Sequence, residues 1–455
     1  MSPTDEANKM GIRERIMRGM RPLIASLPVP EMITMALDAG YLWTRYRNDY
    51  IGQLVIHPKH GLLPAEEFKD LQTKAIRQAF KHHYKDCAFY HNQCKSIGVK
   101  PDDIHSFDDI TKIPQIPAET FKQGGILSVP ENKILTVVTT SGTSGLPSYL
   151  ARDITSLGRL IIEGIRYIIN ILYPMCGKII GKSLKDYYRY AMKNWHFGLF
   201  IPSIKESSSW MTQVSNYAGL LAPPFAIPVD IYLKEMEFNP EKILEKIKEA
   251  NKEDKMMCFA GFHYIINEMM NYMDETGEML ELDPMGENVC VMIIAGGWKK
   301  LSGEAIDKKA FRKKIKEHFG LIETFIVDVY GFGESNYFAV DFCPSKKLHS
   351  ICSPLTITRD PDTLEVQDFG EKGLISVYDP TMNTFPAFVI TDDLGRVTEP
   401  QICESCGMTT QFLEYLGRAP KAELRSCGLK TQQLLTDKDK RELEMLRMRT
   451  PEGRK

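Results

Sequence analysis

The chain lacks a long uncharged apolar run. Its most apolar stretch, Ile161 to Ile180, is broken by Glu163, Arg166, Pro174 and Lys178. A membrane-spanning helix needs about 20 consecutive apolar residues, so none is expected. The chain also lacks an excess of either charge: 57 Lys and Arg stand against 59 Asp and Glu, a net charge of -2. Nucleic acid is therefore not expected as a partner. Cysteine is sparse, with ten in 455 residues, which is not a disulfide framework. In a reducing compartment such thiols sit in the core, ligate metal or react. Met1 to Ala25 has mixed charge and no clean apolar core, so it does not read as a signal peptide. A cytoplasmic protein is expected. There is no internal repeat and no GxxxxGK[ST] phosphate loop.

What is present is ordinary for a globular protein, 43% hydrophobic and 25% charged, long enough for more than one domain. One segment stands out. Thr139 to Ser148 read TTSGTSGLPS, with Gly142 and Gly145 among the hydroxyls of Thr140, Ser141, Thr143 and Ser144. The preceding run, Ile134 to Val138, is β-branched and apolar like a buried strand. A strand entering such a loop presents N–H groups and hydroxyls that suit phosphate oxygens. A plain polar turn between strands fits the same residues.

The rest of the chain alternates strand and helix signals. Residues 1–62 read as an N-terminal helical extension at the periphery. There Arg13, Arg15, Arg18 and Arg21 interleave with Ile12, Ile16, Met17 and Met20. That pattern suits a solvated surface helix, or one whose basic face touches a membrane or a partner. Ala65 to Tyr84 has helical spacing. Asp108 to Lys122 contains Pro114 and Pro117 and is expected to run extended over the surface. A short strand is expected at Ser148 to Arg152, then a helix from Ile154 to about Leu172 capped by Asp153. Asn239-Pro240 opens another helix. Buried strands are expected at Met256–Ala260, Val289–Ala295 and Phe325–Tyr330. A helix is expected from Ser302 and Glu304 to Gly320. Together these predict an α/β core over 63–340. Leu355 to Val397 reads as a small β-meander or a barrel-like subdomain, inside a β-rich stretch, 341–418. A short C-terminal tail follows, 419–455, whose charged part from Thr431 to Lys455 is expected to be helical and then frayed.

Several motifs then fall in a recognisable order: IPQIPAETFK, TTSGTSG, GGWKK at Gly296 to Lys300, YGFGES at Tyr330 to Ser335, RDPDTLE, TDD at Thr391 to Asp393, and Gly417-Arg418. In that order the chain resembles the adenylate-forming ligases, and within them the acyl-protein synthetases of bacterial bioluminescence. The resemblance implies an α/β core of layered sheets with flanking helices plus a small β subdomain. It implies activation of a carboxylic acid, in that branch a fatty acid, by ATP and Mg²⁺ to acyl-AMP. It further implies transfer to a cysteine and then to a reductase or other acceptor protein. By resemblance, Thr140, Ser141, Gly142, Thr143 and Ser144 cradle the ATP phosphates. Gly296 and Gly297 admit the adenine, and Tyr330 with Gly331 stacks on it. Glu334 holds Mg²⁺, and Asp393 takes the ribose hydroxyls beside Arg418. Singly, each residue also fits a structural role, such as a strand-end aromatic, a surface acid or a simple ion pair.

The chain departs from the family pattern in three places. Many such loops end in Lys, where this chain has Ser148, so a cation for the phosphates is expected from elsewhere, with Arg152, Lys299 and Lys300 as candidates. The usual TGD is TDD, with Asp392 in the glycine position, which questions the loop conformation. The swinging C-terminal lid of most members is expected to be missing or vestigial, because few residues follow Arg418 in this sequence. In the acyl-protein synthetase branch a cysteine near the C-terminus carries the acyl group. Here that residue is Cys427, beside Arg425, whose guanidinium would favour the thiolate. Acyl- or aryl-CoA ligation, with CoA as acceptor, and a non-catalytic nucleotide-binding scaffold are the rival readings.

Cys403 and Cys406 form CxxC, and Cys343 and His349 are spaced C-x5-H. Such a Cys₃His set suits structural Zn²⁺, with Cys352 as a competing ligand and two unrelated thiol pairs as the alternative. Trp195, Phe197, Phe200, Trp210, Phe259, Phe262 and Tyr264 supply aromatic bulk for core or acyl pocket. His196 and His263 fit either a satisfied core role or one facing a carboxylate substrate.

Overall fold

The computed structural model describes residues 29–140, 146–181, 195–221, 229–234, 237–253, 256–283, 290–296, 307–351, 353–419, 432–451 and 453. The basic segment around Arg13–Arg21 lies outside them, as do Ser302 and Glu304.

The strands are, in chain order, β1 (Ile116–Pro117), β2 (Ile134–Thr139), β3 (Tyr149–Asp153), β4 (Trp195–Pro202), β5 (Val229–Lys234), β6 (Glu237–Phe238), β7 (Met256–Phe262), β8 (Val291–Ala295) and β9 (Ile326–Gly331). There follow β10 (Phe338–Val340), β11 (Leu348–Ser350), β12 (Leu355–Arg359), β13 (Gly373–Tyr378), β14 (Phe388–Val397), β15 (Gln401–Ile402), β16 (Thr409–Thr410) and β17 (Phe412–Arg418). Among the described residues a thirteen-stranded sheet runs β12-β13-β14-β17-β11-β10-β9-β8-β7-β4-β5-β6, with β1 beside β14. Pairings β5-β4-β7-β8-β9 are parallel. From β9 to β12 they are antiparallel. This layered mixed sheet with flanking helices is the expected fold class.

Strand periodicity explains the layering. Met257 and Phe259 face the helices Pro240–Lys252, His263–Thr276 and Lys308–Phe319, whose Ile247, Ile266, Met269 and Ile315 complete one core. Cys258 and Ala260 turn to the opposite face with Phe197 and Leu199. A larger core joins helices Tyr50–Ile56, Ala65–Asp86 and Ala88–Ile97 to β12, β13 and β14. The residues expected at the periphery thus place Ile51, Leu54 and Val55 in this core. The meander expected over 355–397 is present as β12-β13-β14.

The caps form as predicted. Asp153 accepts from Ser156 N–H, and Asn239 accepts from Lys242 N–H with Pro240 in the first turn. Three expectations are corrected. The stretch 108–122 is not an extended surface segment. It makes short 3₁₀ turns at Asp108–Lys112 and Ala118–Lys122 around β1. Ile110, Ile113, Ile116 and Phe121 are buried, and that apolar gain outweighs the extended preference of the prolines. The helix from Ile154 does not end at Leu172. It widens into a π-turn at Ile168–Leu172 and resumes over Tyr173–Ile180, where Pro174 sits in a first turn that needs no N–H. The helix ending at Gly320 starts at Lys308, because Asp307 caps it from an extended backbone. Gly320 closes it at φ 59°, a conformation that favours glycine.

The tail is helical over Asp437–Met448, with a capping box between Thr436 and Asp439. That helix is docked on the core. Gly125 N–H donates to Asp439 O at 2.8 Å. A Cβ at Gly125 would lie 2.6 Å from the backbone of Glu442 and Leu443, so only glycine admits the helix. Among the described residues, no helix is long and apolar enough to cross a membrane.

Candidate active site and metal cluster

Parallel sheets offer binding space at the carboxyl ends of their strands. Here β7, β8 and β9 end together beside β14 and β17, and a cleft of about 1250 Å³ opens there. Thr140, Gly296 and Gly331 line it. So do Tyr330, Glu334, Asp393 and Arg418. The hydroxyl-rich turn therefore leaves the same cleft that holds the acid at 393. Ser141, Gly142, Thr143 and Ser144 lie outside the described residues, as do Gly297, Lys299, Lys300, Arg425 and Cys427.

The turn is the tip of a β2-β3 hairpin, closed by Ser148 N–H donating to Thr140 Oγ1 at 3.0 Å. Ser148, at the position where the resemblance led lysine to be expected, is buried and donates through Oγ to Glu334 Oε1 at 3.0 Å. Glu334 is 6% exposed, and burial pushes its carboxyl above the usual range despite its own N–H and the Ser148 hydroxyl. Among the described residues no cation lies within ion-pair distance of it. A hard carboxylate oxygen buried at the cleft wall, with a hydroxyl partner and no ion pair among the described residues, fits a magnesium ion.

Arg152 is not a phosphate ligand in this arrangement. It is fully buried, donates from Nη2 to Gly333 O at 2.5 Å, and packs over Trp210 at 4.5 Å and Phe385 at 5.3 Å. It props the loop that carries Glu334. The same loop is tied from below by Asp379, which accepts from Ser335 Oγ and Asn336 N–H, both at 2.8 Å. Asp379 also accepts from Thr381 N–H at 2.8 Å and Thr381 Oγ1 at 2.7 Å. Sequence reasoning missed Asp379, although Asp followed by Pro and Thr is a local turn signal.

At the other wall Tyr330 OH donates to Asp393 Oδ2 at 2.9 Å. Asp393 and Arg418 are cross-strand partners on β14 and β17, with Arg418 Nε 3.5 Å from Asp393 Oδ1. Asp392 brings no backbone problem. It lies within β14 and is not among the non-glycine residues with positive φ, so a strand replaces the glycine turn that the TGD comparison suggested.

The cleft also contains His263, which the sequence singled out, and Lys308, Asp328 and Lys122, which it did not. Lys308 Nζ is 2.5 Å from Asp328 Oδ2, and His263 Nε2 is 3.8 Å from Asp328 Oδ1. His263 also bonds Ala295 O through Nδ1 at 3.2 Å; desolvation is the main cause of its lowered pKa. Lys122 lines the cleft too, close enough to lower Asp392 against the burial that raises it. Of the aromatic set, Trp210 reaches the cleft, while Phe197, Phe200 and Phe259 are core. His196 is a core residue bonded to Tyr232 OH at 2.9 Å.

The four metal-ligand candidates also converge. Ligand atoms of Cys343, His349, Cys403 and Cys406 all lie within 4.8 Å of one another. Cys343 Sγ is 3.8 Å from Cys403 Sγ, and Cys406 Sγ is 3.6 Å from His349 Nε2. A tetrahedron with Zn–S near 2.3 Å has edges of roughly 3.8 Å. His349 Nδ1 donates to Lys347 O at 2.7 Å, which leaves Nε2 with its lone pair toward the thiols. Burial pushes the Cys406 thiol up to about 12. Burial works the same way on Cys403, but the N–H groups of Cys406 and Ser405 outweigh it and its pKa is lowered.

The sheet and cleft define an adenylate-forming ligase fold. A solved structure of 2-hydroxyisobutyryl-CoA ligase in complex with R3-HIB-AMP superposes with a TM-score of 0.56 at 15% identity, covering 79% of this chain and 70% of that one. At that identity the likeness is one of fold. The chain belongs to the acyl-protein synthetase (LuxE) family, whose model matches residues 47–436. It is similar to the long-chain-fatty-acid–luciferin-component ligase of Vibrio harveyi, 26% identical over 378 residues, 82% of this chain and 90% of the relative. The enzyme of that name from Aliivibrio fischeri is 28% identical over 355 residues, 77% of this chain and 85% of the relative. Family and fold bear out the expected class, an acyl-adenylate-forming ligase.

Proposed function

We propose that this ligase uses ATP to activate a long-chain fatty acid and passes the acyl group to a protein thiol. The observation that carries the reading is the convergence of Thr140, Glu334, Tyr330 and Asp393 on one cleft. The cleft's volume exceeds the roughly 300–1,000 Å³ of ordinary small-molecule sites, which leaves room for an acyl chain beside a nucleotide. The names of the Vibrio harveyi and Aliivibrio fischeri relatives support the substrate class.

In the first step a carboxylate oxygen of the acid attacks the α-phosphorus of ATP. The bond to the bridging oxygen breaks, giving acyl-AMP and pyrophosphate. The 139–148 turn supplies N–H groups and hydroxyls for the phosphates, and Asp393 accepts the ribose hydroxyls. Gly296 leaves the adenine edge room, and Tyr330 presents a ring held by its bond to Asp393. Rate comes from positioning and fixed dipoles rather than proton transfer. Glu334 holds magnesium, which when bound neutralises phosphate charge. In the second step a thiolate attacks the acyl carbon and AMP leaves. The sequence nominates Cys427 as that thiol, with Arg425 beside it, and a reductase-type protein as the next acceptor. The Cys343–His349–Cys403–Cys406 cluster holds structural zinc and takes no part in the chemistry.

Intact-mass measurement tests both steps. After incubation with MgATP and a C14 fatty acid, the chain is expected to gain one acyl group, lost on hydroxylamine treatment and absent in Cys427→Ala. Carboxylate-dependent ATP–pyrophosphate exchange should persist in Cys427→Ala. Absence of exchange with fatty acids of every length would overturn the first step. An adduct that survives Cys427→Ala would overturn the choice of thiol.

A further inference from the structure

The helix Val29–Tyr46 packs on the protein through Ile33, Leu37, Tyr41 and the polar or small residues between them, yet a second apolar stripe faces out. Its inner side is fixed by several contacts. Leu37 is buried, Arg166 Nη2 donates to Asp38 Oδ1 at 2.5 Å, and the Tyr41 ring meets His57 edge-on at 4.7 Å. Gly40 sits where a Cβ would come 2.8 Å from Ile56 Cδ1. The outer side carries Met32, Met35, Leu42, Trp43 and Tyr46, which are 55%, 72%, 66%, 60% and 79% exposed. Their spacing puts them in one stripe along the helix. A continuous exposed stripe of this kind marks an interaction surface.

Size and charge select the occupant. The helix has 18 residues, so its outer stripe is about 27 Å long and 10 Å wide, on the order of 300 Å². A stable pair of protein chains needs about 800 Å² from each partner, so a second copy on this face alone falls short. A bilayer needs no complementary shape and accepts a narrow stripe. Trp43 and Tyr46 are the residue types that settle at a membrane interface. Arg45 and Arg47 flank them at one end, with the Arg47 guanidinium 5.7 Å from the Trp43 ring. Of the two acids on this helix, Asp38 is already paired with Arg166. The sequence just before it, Lys9 to Arg21, has Lys9, Arg13, Arg15, Arg18 and Arg21 against the single acid Glu14.

We propose that the outward face of Val29–Tyr46 docks this protein on an anionic lipid surface, with Met35, Leu42 and Trp43 entering the acyl region and the arginines meeting lipid phosphates. The inference is independent of the chemistry assigned to the cleft.

Flotation of the full chain tests it. With vesicles of phosphatidylglycerol and phosphatidylcholine in equal parts, most of the protein is expected to rise with the lipid. With phosphatidylcholine alone the bound fraction should drop at least tenfold. Met35→Glu/Trp43→Glu should abolish flotation on the mixed vesicles. Met35→Ser/Leu42→Ser, a milder change at exposed positions, should weaken it, and a thermal melt of both variants checks that they fold. Failure of the full chain to float, or equal flotation of folded variants, would overturn the proposal. So would a solution dimer that Met35→Glu/Trp43→Glu converts to monomer, because the face would then belong to a second copy.

Discussion

Glu334→Gln is expected to lower ATP–pyrophosphate exchange by roughly two to three orders of magnitude, the scale seen when one preorganised charge-stabilising group is removed. The fold should survive. Glutamine keeps the volume and an oxygen, so the bond from Ser148 Oγ at 3.0 Å can persist. Arg152 and Asp379 hold the surrounding loop through Gly333 O, Ser335 and Asn336, none of which involves the Glu334 side chain. What is lost is a negative oxygen that the protein keeps largely dehydrated at the cleft wall. Burying it raises its carboxyl pKa, a cost of the kind found where a binding site uses the charge. Loss of the charge should appear mainly in turnover, with the melting temperature unchanged or raised. Exchange assays across magnesium concentration, paired with a thermal melt, decide it. Wild-type exchange in a folded Glu334→Gln protein would remove this carboxylate from the chemistry.

The sequence made local chemistry legible where a signal and its partner are neighbours. Asn239-Pro240 and Asp153 cap helices because a cap and its N–H lie three residues apart. The strand before the hydroxyl-rich turn was legible from β-branched residues alone. The order of motifs made the cleft legible as a set, since Thr140, Tyr330, Glu334 and Asp393 come together from three separate stretches. What stayed hidden depends on distant partners. Asp379 reads as a turn residue until Ser335, 44 positions away, is seen donating to it. Arg152 looks like a phosphate cation until Trp210 and Phe385 enclose it. The stretch 108–122 looks extended because proline bias is local, whereas burial of Ile110 and Phe121 is tertiary. Asp392 looked strained by comparison with a glycine, and the strand pairing of β14 with β17 removes that demand.

Cys403→Ser is expected to remove bound zinc and lower the melting temperature by roughly 3–6 °C, which corresponds to several kcal/mol in a chain of this size. The wild-type protein should carry about one zinc per chain by elemental analysis, and the variant less than about a tenth. The size of the effect follows from what the cluster joins. Cys343 lies just past β10, and His349 is within β11. Cys403 and Cys406 occupy the turn between β15 and β16, where Gly407 N–H closes back on Cys403 O at 2.7 Å. Thr410 Oγ1 donates to Ser350 O at 2.9 Å beside the cluster, and a metal there would add a tie between the β15-β16 turn and the sheet. Without it, three buried or half-buried thiols and one imidazole lose their common partner, and the desolvation that raises Cys406 has no compensation. The loss should also reach the cleft, because β11 pairs with β17 and β17 ends in Arg418 beside Asp393. Cys403→Ser should therefore raise the KM for ATP several-fold while leaving the exchange turnover at saturation nearly intact. Chelation of the wild-type protein should reproduce both changes, and zinc should reverse them. A wild-type chain that purifies without zinc and gains no thermal stability when zinc is added would show four ligand-type side chains meeting without a metal, and the cluster would then be ordinary core packing.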